Sequence, residues 1–154
     1  MIDIASLLGS LSNITSVIDS LDSMLKGSRG TRRSVLLELE GNIRLALIGQ
    51  QGGIPAEKLV RRLETRAMQL AMESDFKFSS LKSGKVKKSV AGDSAQMQRY
   101  TGWSTEKLFT NLYLRIRELQ NIVELGGDDS HFRVAIRLKN IFRMMLLIAR
   151  HIRS

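Results

Sequence analysis

Side chains that could perform acid–base or metal chemistry are scarce in this sequence. It contains no cysteine and only two histidines, His131 and His151. They fall at opposite ends of the last predicted helix, which would separate them by about 30 Å and prevent them from chelating one metal ion. The absence of cysteine excludes disulfides, thiolate metal sites and cysteine nucleophiles. We therefore expect no catalytic residue, no metal and no cofactor, and a protein that is not an enzyme.

Basic side chains form the one pattern that points to a binding function. Most of the net charge of +9 comes from segments 75–104 and 126–154, each with six Lys or Arg against two Asp or Glu. The first segment is rich in Gly and Ser, which predicts an exposed loop, and four cations of the second fall within a sector of about 80° on a helix. Together they predict an anion-binding surface. Its residues are Lys82, Lys85, Lys87, Lys88, Lys139, Arg143, Arg150 and Arg153.

The expected partner of this surface is nucleic acid or an anionic membrane, since both present closely spaced phosphate groups. The alternative is a solvated cationic face on which the arginine stems merely cover apolar surface. No small-molecule substrate is evident. Ser83-Gly84-Lys85 is not a phosphate-binding loop, because Ser79 and Val86 stand where that motif requires Gly and Ser or Thr.

Arg143 and His151 resemble the Arg–His pair on the last long helix of HEPN-class helical ribonucleases. That resemblance implies an alternative function, RNA cleavage across a dimer. The HEPN spacer between the two residues is shorter than the seven residues found here. Only this helix carries the resemblance, and the alternative is that His151 is a plain surface histidine.

The first predicted helix has an unusual polar face. It carries no charge between Asp3 and Asp19, and Ser12, Ser16 and Ser20 recur every fourth residue. Small side chains at this spacing allow a second helix to approach closely. We therefore expect self-association through Ser12, Ser16 and Ser20, either as a homo-oligomer or with a partner helix.

The same helix is similar in composition to the uncharged, Gly- and Ser-bearing first helix of HeLo-type pore-forming bundles. This similarity implies a membrane-active bundle as a second alternative. The N-terminus has no positive charge of the kind that opens a signal peptide, and no apolar run reaches the length of about 18 residues that a spanning helix needs. A cytoplasmic protein is expected, with membrane association through the first helix as the alternative.

Apolar residues spaced three and four apart predict an all-α fold, an antiparallel bundle of about five helices in a single domain, 1–154. Ile14, Ile18 and Leu21 illustrate the spacing. Ser104 is the expected N-cap of the fourth helix, and Gly41 suggests a close helix crossing. The predicted helices cover 2–26, 31–50, 55–74, 104–125 and 129–153, with one long basic loop at 75–103.

Overall fold

The computed structural model describes residues 11–127 and 129–154 of the chain. Regular structure in these two ranges is helical, apart from one isolated antiparallel bridge between Lys85 and Ser104. The all-α class predicted from the sequence is therefore confirmed. The elements in chain order are α1 (Leu11–Lys26), α2 (Gly30–Gly52), α3 (Ala56–Arg62), α4 (Arg66–Glu73), a 3₁₀ turn (Phe78–Ser80), α5 (Lys88–Ala91), α6 (Ala95–Gln98), α7 (Thr105–Glu124), α8 (Asp129–Phe132) and α9 (Val134–Arg153).

Helix α9 is surrounded by other elements. It packs against α1, α2, α3 and α7, and against the short helices α5 and α6. Between Ile141 and Ile152 every residue except Arg143 and Arg150 is buried. A helix that is apolar on nearly every side gains most free energy when it is enclosed in this way. The composition of α9 therefore explains its position in the fold.

Helices α1 and α2 pack against each other beside α9. Ile14, Ile18, Leu21 and Leu25 are all buried, as their spacing in the sequence predicts. The predicted first helix began at residue 2, and its part before residue 11 lies outside the described residues.

The third predicted helix, 55–74, is broken between α3 and α4. Leu63 adopts extended backbone angles (φ −63°, ψ 136°), which end α3. The buried side chain of Asn42 replaces the lost helical hydrogen bonds. Its Nδ2 donates to the Glu64 carbonyl at 2.8 Å, and its Oδ1 accepts from the Glu64 amide at 2.8 Å. The backbone amide and carbonyl of Glu64 therefore both have hydrogen-bond partners, although Glu64 lies outside a helix.

Two further side chains form hydrogen bonds with the backbone on either side of the break between α3 and α4. The carboxylate of Glu38 accepts hydrogen bonds from the backbone amides of Ala67 at 2.6 Å and Met68 at 3.0 Å, at the start of α4. Nε2 of Gln120 donates to the carbonyls of Val60 and Leu63, at the end of α3. Burial raises the pKa of Glu38, although these two amides act in the opposite direction.

The close helix crossing expected at Gly41 is not present among the described residues. Gly41 is exposed, and a Cβ placed on it would meet no atom within 4 Å. Nothing described packs against this position.

The last predicted helix, 129–153, is interrupted near its start. Arg133 lies between α8 and α9 and has φ 53° and ψ 49°. This left-handed conformation costs a residue other than glycine about 1–2 kcal/mol. The two segments therefore meet at a junction and do not form one continuous helix. Residue 128 lies outside the described residues.

The segment 75–103 packs against the helices and contains the 3₁₀ turn and the short helices α5 and α6. An apolar side chain every few residues anchors the segment in the core. The ring of Phe78 stacks on that of Phe109 in α7, with 4.8 Å between their centroids. The buried anchors are Phe78, Leu81, Val86, Ala91, Met97 and Tyr100.

Candidate anion-binding surface

The lysines of the basic segment are turned outward by a short antiparallel pairing. The Val86 amide donates to the Trp103 carbonyl at 2.9 Å, and the Gly102 amide donates to the Val86 carbonyl at 2.9 Å. Successive side chains of an extended chain point to opposite sides. Because Val86 is buried, Lys85 and Lys87 on either side of it are exposed.

Lys88 is also exposed and opens helix α5. Its carbonyl accepts a hydrogen bond from Nε2 of Gln98 at 3.2 Å, and the same nitrogen donates to the Gly92 carbonyl. These contacts fix α5 relative to α6.

Hydrogen bonds between side chains attach α6 to α9. Nε2 of Gln96 donates to Oδ1 of Asn140 at 2.7 Å, and Nη1 of Arg143 donates to Oε1 of Gln96 at 2.6 Å. The structure thus places the basic segment directly beside the last helix. Arg143 is partly buried in this contact and positions the segment.

The other end of the segment is attached to the C-terminal end of α9. Nζ of Lys82 donates to a main-chain oxygen of Ser154. The Thr105 hydroxyl donates to the Lys82 carbonyl at 2.7 Å, and it also lies 2.9 Å from Nε2 of His151. A hydroxyl group has one proton, so Nε2 must carry the proton of that second contact. The network therefore assigns the Nε2–H tautomer to a neutral His151.

His151 is buried, and the interpretation of it as a surface histidine is wrong. It is 1% exposed. Burial lowers the pKa of His151, and the positive charge of Lys82 lowers it further. With Nε2 engaged by Thr105, the ring cannot meet an RNA substrate unless this contact opens. Among the described residues, no group of His, Asp and Glu could hold a metal ion.

Positive charges crowd together at the end of α9. Nη1 of Arg153 donates to Oγ of Ser20 in α1 at 2.8 Å. The pKa of Arg150 is lowered, first by burial and then by the charge of Arg153. The C-terminal carbonyls of a helix carry about half a negative charge, which is less than the combined charge of Arg150 and Arg153.

Ion pairs within the described part of the chain do not neutralise these cations. The pairs join Arg44 to Asp22 and Glu40, and Arg137 to Glu118. We call the eight predicted cations the loop–α9 basic surface. Within this surface, Arg153 donates to the Ser20 hydroxyl, and Lys82 donates to a main-chain oxygen of Ser154. Lys139 lies partly buried on α9.

Two cations that the sequence analysis missed lie beside this surface. Nζ of Lys107 lies 4.1 Å from the centroid of the Trp103 ring. The guanidinium of Arg99 lies 5.0 Å from the centroid of the Tyr100 ring, and its Nη2 donates to the Tyr100 hydroxyl at 2.9 Å. The aromatic residues that flank the basic segment in the sequence were the feature that could have identified these two cations. Ser104 caps α7 as expected, since its Oγ accepts from the Lys107 amide at 3.2 Å.

The serines predicted to mediate self-association have different environments. Ser16 is exposed. Ser20 is partly buried, and its hydroxyl donates to the Ser16 carbonyl at 3.0 Å while accepting from Arg153 of the same chain. The side chain of Ser12 lies outside the described residues.

The fold and this surface define an all-α protein with a crowded basic face. No protein-family model matches the chain, and no curated protein or solved structure matches it. Across residues 11–127 and 129–154, no helix combines the length and apolar composition that crossing a membrane requires.

Proposed function

We propose that the protein is a non-enzymatic helical interaction module that binds nucleic acid through the loop–α9 basic surface. One observation carries the proposal. Arg150 and Arg153 lie close together at the end of α9, and no Asp or Glu of the described residues forms an ion pair with either of them. Such an arrangement is unfavourable by itself, and phosphate groups would relieve the repulsion.

Hydrogen bonds to neutral groups favour this function over a merely solubilising charge. Arg143 donates to the side-chain carbonyl of Gln96, and Arg153 donates to the hydroxyl of Ser20. Side chains that are already fixed lose less conformational entropy when a partner binds. Arginine also has donors to spare, because its guanidinium presents five N–H groups.

The position of exposed apolar side chains favours nucleic acid over a membrane. A peripheral membrane site combines cations with apolar side chains that enter the lipid. The large exposed apolar residues in the described part of the chain lie outside 82–104 and outside 139–154. They are Leu37, Ile48, Leu70, Leu114, Leu125 and Ile136.

Fluorescence anisotropy with a labelled single-stranded RNA of mixed sequence tests this function. The logarithm of the affinity should fall linearly as the logarithm of the salt concentration rises. Replacing Lys85, Lys87 and Lys88 with Glu should weaken binding and reduce the salt slope by about 2–3 units, since each phosphate contact contributes about 0.7–0.9.

A matched control carries the same change in charge on helix α3. Lys58, Arg61 and Arg62 are exposed there, and their replacement with Glu should leave most of the salt slope intact. Equal losses in the two triple variants would show that net charge alone drives the interaction. Binding to vesicles containing phosphatidylserine without any binding to RNA would contradict the nucleic-acid assignment.

Self-association through the first helix is the second part of the proposed function. Ser16 supports it as an exposed small residue of α1. Ser20 is already held by Arg153 within the chain, so its hydroxyl would contribute less to an intermolecular contact. Measuring mass by light scattering tests this part separately from RNA binding.

A further inference from the structure

The ring of Trp103 reaches the surface where the basic segment ends and helix α7 begins. It is partly exposed, and Nζ of Lys107 lies 4.1 Å from its centroid. Lys107 is itself exposed, so the side of the ring that it covers faces solvent and not the core. The ring of Tyr100 also has a cation over it, Arg99, but Tyr100 is 1% exposed and a ligand cannot reach its ring. Trp103 is therefore the accessible ring of this region.

Contacts with its neighbours fix the position of Trp103. The centroids of its ring and that of Tyr100 are 4.8 Å apart, and the ring planes meet at 87°, which is a favourable edge-to-face arrangement. The Trp103 amide donates to the Tyr100 carbonyl at 3.0 Å, and the Trp103 carbonyl accepts from the Val86 amide at 2.9 Å. A ring that is already fixed loses little conformational entropy when a ligand stacks on it.

Cations of the loop–α9 basic surface lie close to Trp103. Lys85 pairs with Ser104 in the isolated antiparallel bridge, and Ser104 directly follows Trp103. Lys85, Lys87 and Lys107 are all exposed, and none of them forms an ion pair with a described residue. Proteins that bind single-stranded nucleic acid combine aromatic rings, on which bases stack, with cations that contact the phosphates. The surroundings of Trp103 match this combination.

The contact between Lys107 and Trp103 is weak enough for a base to replace it. A cation–π contact at an exposed site contributes about 2- to 5-fold to an equilibrium constant, whereas a base stacked on an aromatic ring contributes about 5- to 100-fold to binding. Lys107 also gains a phosphate in exchange, because each nucleotide carries one and the lysine side chain is long and flexible. Stacking is therefore the stronger of the two interactions.

We propose that the Trp103 ring stacks with a nucleobase, and that the loop–α9 basic surface therefore selects single-stranded over double-stranded nucleic acid. This inference rests on the proposed function and names the form of nucleic acid that the surface binds. The base displaces Nζ of Lys107 from the ring, and Lys107 then contacts a phosphate of the same strand. In a duplex the faces of the bases are covered by their neighbours, so only the phosphate contacts remain.

Trp103 is the only tryptophan of the chain, so intrinsic tryptophan fluorescence reports on this ring alone. The probe is an oligouridylate of about 12 nucleotides, a length within the range that single-strand-binding domains cover. Its matched control is an abasic ribose-phosphate oligomer of the same length, which has the same charge and no bases. The oligouridylate should quench the fluorescence saturably and bind about 5- to 100-fold more tightly than the abasic oligomer. Its duplex with oligoadenylate should bind without comparable quenching.

Fluorescence anisotropy with labelled oligomers extends the test to variants, whose folding is checked by their melting temperatures. Trp103→Leu keeps an apolar side chain against the core and should abolish the preference for oligouridylate, while the affinity for the abasic oligomer changes by less than about twofold. Trp103→Phe retains a ring and should keep part of the preference. Phe76→Leu is the control, since Phe76 is the partly buried aromatic residue at the other end of the segment and no described cation lies over its ring. Lys107→Gln should reduce the salt slope for oligouridylate by about 0.7.

The result expected is a saturable quench and a tighter complex that both require the bases. Equal affinities for oligouridylate and the abasic oligomer would overturn the stacking site and leave phosphate binding by the basic surface intact. Equal quenching by the abasic oligomer would also overturn it, because displacement of Lys107 alone would then explain the signal. Binding of neither oligomer would contradict the proposed function as well. These comparisons use the wild-type chain, so they decide the question even if Trp103→Leu does not fold.

Discussion

Oγ1 of Thr105 lies 2.9 Å from Nε2 of His151, in a contact where each residue is only 1% exposed. The pair joins the first turn of α7 to the last turns of α9, and through the Lys82 carbonyl it also holds the start of the basic segment. Removing either side chain leaves buried polar atoms without partners. We expect Thr105→Val to destabilise the fold by about 1–3 kcal/mol.

Mild acid should destabilise the protein through His151. Its pKa is lowered from 6.5 in the folded state, whereas the unfolded chain binds a proton near 6.5. The free energy of unfolding should therefore fall as the pH drops below about 6.5 toward the folded-state pKa, and this contribution should be constant above that window. Urea unfolding at about pH 5 and about pH 7.5 measures the difference.

Replacing His151 with Gln should remove this part of the pH dependence, and replacing the exposed Asn121 with Gln should leave it intact. Burial raises the pKa values of Glu38 and Glu40, whose effect has the opposite sign and cancels when variant and wild type are compared. An unchanged pH profile in the His151→Gln variant would refute the assignment.

Asn42→Ala should cost more stability than an ordinary polar substitution. The change removes the hydrogen-bond partners of both the amide and the carbonyl of Glu64, and each lost hydrogen bond contributes about 0.5–1.5 kcal/mol. Chemical denaturation measures the loss. The exposed Asn121, replaced with Ala, serves as the control and should change stability by less than about 0.5 kcal/mol. A similar small effect at Asn42 would mean that water replaces its contacts.

Gly41→Ala should stabilise α2 by about 0.5–1 kcal/mol, because alanine has the higher helix propensity and a Cβ there meets nothing within 4 Å. Gly30→Ala is the matched control. A Cβ on Gly30 is equally unobstructed, but its φ of +59° strains any residue with a side chain. The two variants should therefore shift the melting temperature in opposite directions. A loss of stability in Gly41→Ala would reveal a neighbour at that position.

Ser16→Lys should reduce self-association if α1 forms the contact between chains. A long charged side chain prevents the close approach of a second helix. The monomer should keep its melting temperature, since Ser16 is exposed. Light scattering measures the mass, with Asn121→Lys as the control for added charge. An unchanged mass in Ser16→Lys at every concentration would remove α1 from any assembly.

The helical class could be predicted because its signal is local. Ile14, Ile18, Leu21 and Leu25 recur at helical spacing, and all are buried. Ser104 marks the start of α7 for a similar reason, since an N-cap acts within three residues. The break at Leu63 has no such local signal. It depends on Asn42, which is 22 residues away from Glu64 in the chain.

The candidate surface was predictable in composition but not in detail. Counting charges identifies the basic segment and the last helix. The contacts that bring them together do not follow from counting, since Gln96 and Asn140 are 44 residues apart. His151 was misplaced because its burial depends on Thr105, which is 46 residues earlier in the sequence.

The pairing of Val86 with Gly102 and Trp103 brings the two ends of the intervening segment together. The entropy of closing a loop changes slowly with its length, so residues inserted beside the exposed Asp93 and Ser94 would cost little stability, whereas the buried Met97 and Tyr100 have to be kept. Neither Lys85 nor the start of α7 would have to move. In evolutionary terms, the exposed positions between Val86 and Gly102 are free to vary, and the protein could acquire a new specificity there while the buried anchors and the helical framework stayed the same.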